Sequence, residues 1–178
     1  MNLRDSAATY FAFLIMLTLG INNSPLAAES KNTSSTISLT IAAGCVFGGD
    51  TGPNFGTIDF GQHSSLTSSY IFSVSKAEAG TILLKCTPGL SYQIALDAGQ
   101  NSSESGGNQM HNASHQQYVP YELFQNSQYS VPWTLASQLS SVGDGSTRAH
   151  TVFARIAPQS LTPPAGTYTD SVTVIVSF

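Results

Sequence analysis

The sequence is poor in charge. Only 9% of its 178 residues are Asp, Glu, Lys or Arg, and the net charge is -4. So few basic groups exclude a polyanion-binding surface, so neither nucleic acid nor an anionic membrane is an expected electrostatic partner. There is one tryptophan and there are two cysteines. No G-x-S-x-G elbow, H-E-x-x-H pair or glycine-rich phosphate loop is present, which removes the commonest signatures of hydrolases, zinc proteases and nucleotide enzymes. We expect no catalytic residue, no metal and no cofactor, and no small-molecule substrate. Helical periodicity is missing after the first thirty residues, apart from one possible turn at Ser75–Ala79. No internal repeat is visible.

What is present begins with a targeting segment. Arg4 precedes the apolar run Phe11–Ile21, and Leu26-Ala27-Ala28 supplies small residues for cleavage. Residues 1–28 therefore read as a secretory signal peptide, the run being short for a membrane span. The remaining length suits one domain with a core. Cys45 and Cys86 both follow the signal. In an exported chain this pair is expected to form a disulfide. Closing that loop stabilises by roughly 4 kcal/mol in the chain-entropy picture.

Behind a polar leader lies Thr36-Ile37-Ser38-Leu39-Thr40-Ile41-Ala42. Apolar residues take the odd positions and hydroxyls the even ones, the period of a strand with one buried face. Residues 48–54 read as a turn-rich loop. Further strands are expected at Phe55–Gly61, Tyr70–Val74, Thr81–Cys86, Tyr92–Asp97, Tyr121–Phe124, Thr151–Ile156 and Tyr168–Phe178. Residues 98–117 read as an exposed, mobile insertion, and Tyr129–Trp133 and Val142–Ser146 as loops. Short strands punctuated by Gly, Pro and Ser predict a β-sandwich.

Several side chains have two readings. His111 and His115 stand four apart and read as solvated loop residues rather than a metal pair. Asp59, Asp97, Asp144 and Asp170 lie at turns and strand ends, where Asp serves the backbone. Trp133 reads as packed at a core edge, with sugar stacking as the alternative. Asn32, Asn101 and Asn112 head N-x-S/T triplets, which matter only in a eukaryotic secretory route.

The order of these pieces is itself informative. Cys45 follows the alternating strand, then come Phe55-Gly56-Thr57-Ile58-Asp59-Phe60-Gly61, Cys86-Thr87 and Val152–Ile156. The chain then runs Gly166-Thr167-Tyr168-Thr169-Asp170-Ser171-Val172-Thr173-Val174. Together they resemble the spore coat protein U domain, the subunit family of Csu-type archaic chaperone–usher pili, over about Thr36 to Phe178. The single-domain layout is most like the major pilin. Many members carry an Arg near Gln109-Met110, which this chain lacks.

The resemblance implies an all-β, incomplete immunoglobulin-like β-sandwich completed by a donor strand from another subunit. It implies identical or related subunits as partners in a head-to-tail polymer, a periplasmic chaperone and an outer-membrane usher. The expected division is 1–28 signal peptide, 29–43 leader and donor strand, and 44–178 pilin domain. Ile37, Leu39 and Ile41 are the expected donor residues. Tyr168, Val172, Val174, Val176 and Phe178 are expected on the chaperone-facing C-terminal strand. The chain stops at Phe178 after an alternating strand, leaving an expected open edge that needs pairing. A heterologous contact of this kind builds filaments. The expected function is a structural pilus subunit, exported through the periplasm to the cell surface, supporting attachment and biofilm. The alternatives are a spore-coat or surface-matrix protein of the same fold, or a secreted carbohydrate-binding module.

Overall fold

The computed structural model describes residues 35–48, 55–76 and 80–178. The expected signal peptide, nearly all of the polar leader, most of the 48–54 loop and most of the possible turn at 75–79 lie outside the described residues. The chain divides into two units, Met1–Leu39 and Thr40–Phe178. Of the first, residues 35–39 are described; they are exposed and in no regular element.

The second unit is built of short strands, and no helix occurs among the described residues. In chain order they are β1 (Cys45–Phe47), β2 (Ile71–Val74), β3 (Ile82–Cys86) and β4 (Ser91–Leu96). Then come β5 (Gln109–Asn112), β6 (Gln117–Pro120), β7 (Glu122–Phe124) and β8 (Leu139–Val142). The last three are β9 (Thr147–His150), β10 (Phe153–Ile156) and β11 (Val174–Ser177). They form three three-stranded sheets, ordered β1-β3-β9, β2-β10-β7 and β11-β4-β8, and the hairpin β5-β6. All these pairings are antiparallel.

Period-two patterning explains how the sheets share one core. Ile82, Leu84 and Cys86 of β3 are buried, whereas Lys85 between them is exposed. Tyr92, Ile94 and Leu96 do the same on β4, and Ala154 and Ile156 on β10. These join Ile71, Val119, Tyr121, Leu123 and Val152 in one cluster. Its largest member is Trp133, fully buried, whose Nε1 donates to the Ile94 carbonyl at 2.8 Å. An indole in that position has no face left for a sugar, so the stacking alternative for Trp133 is excluded.

The structure corrects several other expectations. Phe55–Gly61 forms no strand, although Phe55, Ile58 and Phe60 do pack on the core. Gly56 and Gly61 sit at φ 91° and 80°, left-handed conformations that interrupt a ladder. The 98–117 stretch is only partly a surface loop. It contains β5, and Asn108 and Asn112 are buried, the Asn108 NH₂ donating to the Asp97 carbonyl and the Asn112 side-chain oxygen accepting from the Ser114 N–H. Its few apolar residues hid it, because here polar side chains replace water for the buried backbone. The loop expected at Val142–Ser146 is present over 143–146, but strands β8 and β9, which were not expected, flank it, and Val142 belongs to β8. The N-x-S/T pattern at Asn101 and Asn112 is structural. Asn112 is buried, and the Asn101 amide donates to Asp170 and to the Thr169 carbonyl.

Candidate functional site: an open sheet edge

Strand β11 is joined on one side only. Val174, Ile175, Val176 and Ser177 pair with Leu96, Ala95, Ile94 and Gln93 of β4. Just before it, Thr173 donates its N–H to Asp97 Oδ1 at 2.8 Å and accepts from the Asp97 N–H at 3.1 Å. In an antiparallel ladder, alternate residues aim both backbone groups at the same neighbour. Thr173, Ile175 and Ser177 therefore face β4. Val174, Val176 and Phe178 present their N–H and C=O groups to the opposite edge, where no strand lies among the described residues.

Strand β1 is also an edge, with β3 as its single neighbour. The two edges meet at one end. A methyl carbon placed on Gly44, next to β1, would stand 4.0 Å from the Phe178 ring. Read outward from this meeting point, the strands run β1-β3-β9 one way and β11-β4-β8 the other. At the far side the sheets are tied by hydrogen bonds between the β3–β4 turn and the β8–β9 turn, from Gly89 N to Gly143 O and from Gly145 N to Cys86 O. The missing pairing between β1 and β11 is thus what separates two half-sheets from a continuous one.

The open edge is apolar where it faces inward. Val172, Val174 and Val176 are half-buried and pack on the core, as does Tyr168. Ile175 is on the outer face, and Phe178 is 65% exposed. Of the five residues expected on the C-terminal strand, four face the core, and only Val174 and Val176 lie within the regular strand.

Cys45 and Cys86 form a disulfide, directly opposite one another across β1 and β3. It fixes β1 to the sheet one residue after Gly44. Thr87 adds to this clamp: its hydroxyl accepts from Gly44 N at 3.0 Å, and its N–H donates to Gly44 O at 2.9 Å.

The approach to β11 is held by a polar lock that sequence reasoning missed. The Asp170 carboxylate accepts from the Tyr121 hydroxyl at 2.7 Å and from the side-chain amide and backbone N–H of Asn101. A Cβ at Gly99, whose φ is 76°, would collide with that carboxylate. Burial raises the Tyr121 pKa, and the adjacent Asp170 charge raises it further. Burial alone would raise Asp97, but hydrogen bonds from the Thr173 hydroxyl and N–H and the Gly99 N–H outweigh it, and its pKa is lowered. The Gly-x-Tyr-x-Asp spacing was the available signal; its partners 49 and 69 residues away were not.

The expected donor residues Ile37, Leu39 and Ile41 are 96%, 83% and 81% exposed. No strand pairing involves residues 35–44.

Comparison with known proteins comes down on the same architecture. The family model of the Spore Coat Protein U domain matches residues 31–175. No curated protein matches. A solved "chaperone-tip adhesion subunit pre-assembly complex from archaic chaperone-usher Csu pili of Acinetobacter baumannii" matches over 78% of this chain at 23% identity and TM-score 0.49; the chain spans 40% of the length of the protein it matches there. A solved "chaperone-usher pilus", described for the basis of its rod uncoiling, matches over 87% of this chain and 99% of its own at 12% identity and TM-score 0.52. That second likeness is one of fold. With four-fifths of its length under one family model and its strands in an immunoglobulin-like arrangement, the chain belongs to the Spore Coat Protein U domain family.

Proposed function

We propose that this protein is the structural subunit of an extracellular pilus, polymerised head to tail by donor-strand exchange. The observation that carries the reading is the pairing of an unfilled edge with an unplaced strand. Val174, Val176 and Phe178 offer backbone groups to a missing neighbour, and Val172, Val174 and Val176 offer apolar contacts at every second residue. Ile37, Leu39 and Ile41 carry the same two-residue spacing and lie exposed. A strand from a second copy laid between β1 and β11 satisfies both by β-augmentation. Because donor and acceptor are different surfaces, the contact propagates instead of closing on itself.

In this reading residues 1–28 direct export, 29–43 carry the donor, and 44–178 form the body. A periplasmic chaperone covers the edge formed by Tyr168, Val172, Val174, Val176 and Phe178 before assembly, since an uncovered apolar edge invites aggregation. An outer-membrane usher hands the subunit outward. The protein is non-catalytic, and surface attachment and biofilm are the roles of the fibre. Electron microscopy of the purified assembly tests the proposal. Thin unbranched fibres are expected; discrete particles or closed rings would overturn it.

A further inference from the structure

A second feature lies at the start of the C-terminal stretch, ahead of β11. One wall of a cleft of about 510 Å³ is the end of β5 and the turn after it, with His111, Asn112, Ser114 and His115. The other is the stretch that leads into the Asp170 lock, with Thr167 and Thr169. The walls are pinned together by two backbone hydrogen bonds, from His111 N to Thr169 O at 2.8 Å and from Thr169 N to His111 O at 3.1 Å. This volume lies within the usual range of small-molecule sites, ~300–1,000 Å³.

The chemistry of the lining is narrow. It contains no carboxylate, ammonium or guanidinium group. It is instead a set of neutral donors and acceptors with capacity to spare. Asn112 spends its carbonyl oxygen on the Ser114 and His115 N–H groups, and its NH₂ has no acceptor among the described residues. His111 Nε2 is buried without a partner. The hydroxyls of Ser114, Thr167 and Thr169 make no hydrogen bond among the described residues. A Cβ at Gly166 would overlap the Asn112 amide, so glycine is what lets that amide pack against the opposite wall. His111, which lines the cleft, is itself a flat aromatic ring, held by the Tyr118 ring stacked on it 4.6 Å away.

We propose that this cleft binds a neutral pyranose, as a free glycoside or the end of a surface glycan. A pyranose carries several hydroxyls that both donate and accept, and an apolar C–H face suited to an aromatic ring. A phosphate or carboxylate ligand would find no fixed cation here. The proposal is independent of the polymerisation reading, because none of these residues lies on β1 or β11.

Saturation-transfer NMR on the purified full-length protein, assembled or not, tests it with the methyl glycosides of glucose, galactose, mannose and N-acetylglucosamine as probes. At least one should give saturable transfer, with a Kd roughly in the millimolar range for so small a ligand. The exposed-residue variants Thr167→Val and His115→Ala should each weaken that binding about fivefold, the value of one neutral hydrogen bond, and leave the chain's thermal unfolding unchanged. No transfer from any of the four probes would overturn the proposal. So would transfer untouched by either variant, stronger binding of N-acetylneuraminic acid than of the neutral sugars, or tight binding of Zn²⁺ lost on removing either histidine.

Discussion

Leu39→Asp is the sharpest perturbation of the proposed joint. In the free subunit Leu39 is 83% exposed and in no regular element, so a carboxylate there costs the body nothing. Inside a neighbour's groove the same side chain would lie among Val172, Val174 and Val176. Three buried aliphatic side chains contribute roughly 5–9 kcal/mol to the joint at 1.5–3 kcal/mol each. Replacing the middle one forfeits about 2 kcal/mol of transfer energy and adds several kcal/mol for an unpaired buried charge. A total near 5 kcal/mol weakens each joint by between three and four powers of ten. A polymer with hundreds of joints in series cannot survive that. The assay measures two quantities from the same cells: fibre yield by electron microscopy, and the amount of subunit recovered in complex with its chaperone. Leu39→Asp should abolish fibres and leave the complex at wild-type level, whereas Thr40→Asp, on the alternate face, should retain fibres. Loss of the chaperone complex along with the fibres would show that this stretch belongs to its own body, and the donor-strand reading would fall.

Other outcomes follow from the body. Tyr121→Phe removes a hydroxyl that donates to Asp170 at 2.7 Å in a nearly closed site; a loss of roughly 1.5–3 kcal/mol is expected, read as a lower urea midpoint with an unchanged m-value. Trp133→Ala empties the largest buried side chain and removes its hydrogen bond to the Ile94 carbonyl. It should cost about 3–5 kcal/mol, enough that soluble yield collapses; near-normal yield would contradict the packing described. His150, bonded to the Tyr92 hydroxyl at 3.0 Å, has its pKa lowered by burial and then by Arg148. Below the ordinary His value of about 6.5 the unfolded chain therefore binds the extra proton first. Its contribution to stability is full above that pH and fades as pH falls through it. The melting temperature should drop between pH 7.5 and 5.5, and His150→Gln should flatten that drop; an equal drop in the variant would refute the assignment.

Much of this fold was legible where one physical rule acted alone. The alternation in Thr81–Cys86, Tyr92–Asp97 and Thr151–Ile156 became β3, β4 and β10, because each lays one face on a common core. It failed where rules competed. Phe55–Gly61 alternates just as well, but its two left-handed glycines turn the backbone out of a ladder while its apolar side chains still reach the core. β5 was hidden because Asn108 and Asn112 are buried polar residues, whose amides bond nearby backbone in place of water and so leave no apolar alternation to read. Trp133 read as packed at a core edge beside Pro132; the Ile94 carbonyl, 39 positions earlier, explains why the indole goes fully inside. At the candidate site, the unpaired strand and the C-terminal valines were readable from spacing. The Asp170 lock that presents them was not, since no local pattern announces Tyr121 or Asn101.

The disulfide has a mechanical meaning once the subunit is placed in a fibre. Tension between neighbours enters each body through the two residues that join Ile41-Ala42 to Cys45. Without a crosslink, that pull would act on β1, a three-residue strand held on one side, and could peel it off one hydrogen bond at a time. The Cys45–Cys86 bond stands at the first residue of β1 and the last of β3, so force passes covalently into an interior strand before any ladder bond is strained. On the exit side of the proposed joint, the donor would lie alongside β11, where a pull along the strand shears all its hydrogen bonds together. The subunit is thereby arranged so that a stretched filament parts, if at all, at the joints between copies and not within them.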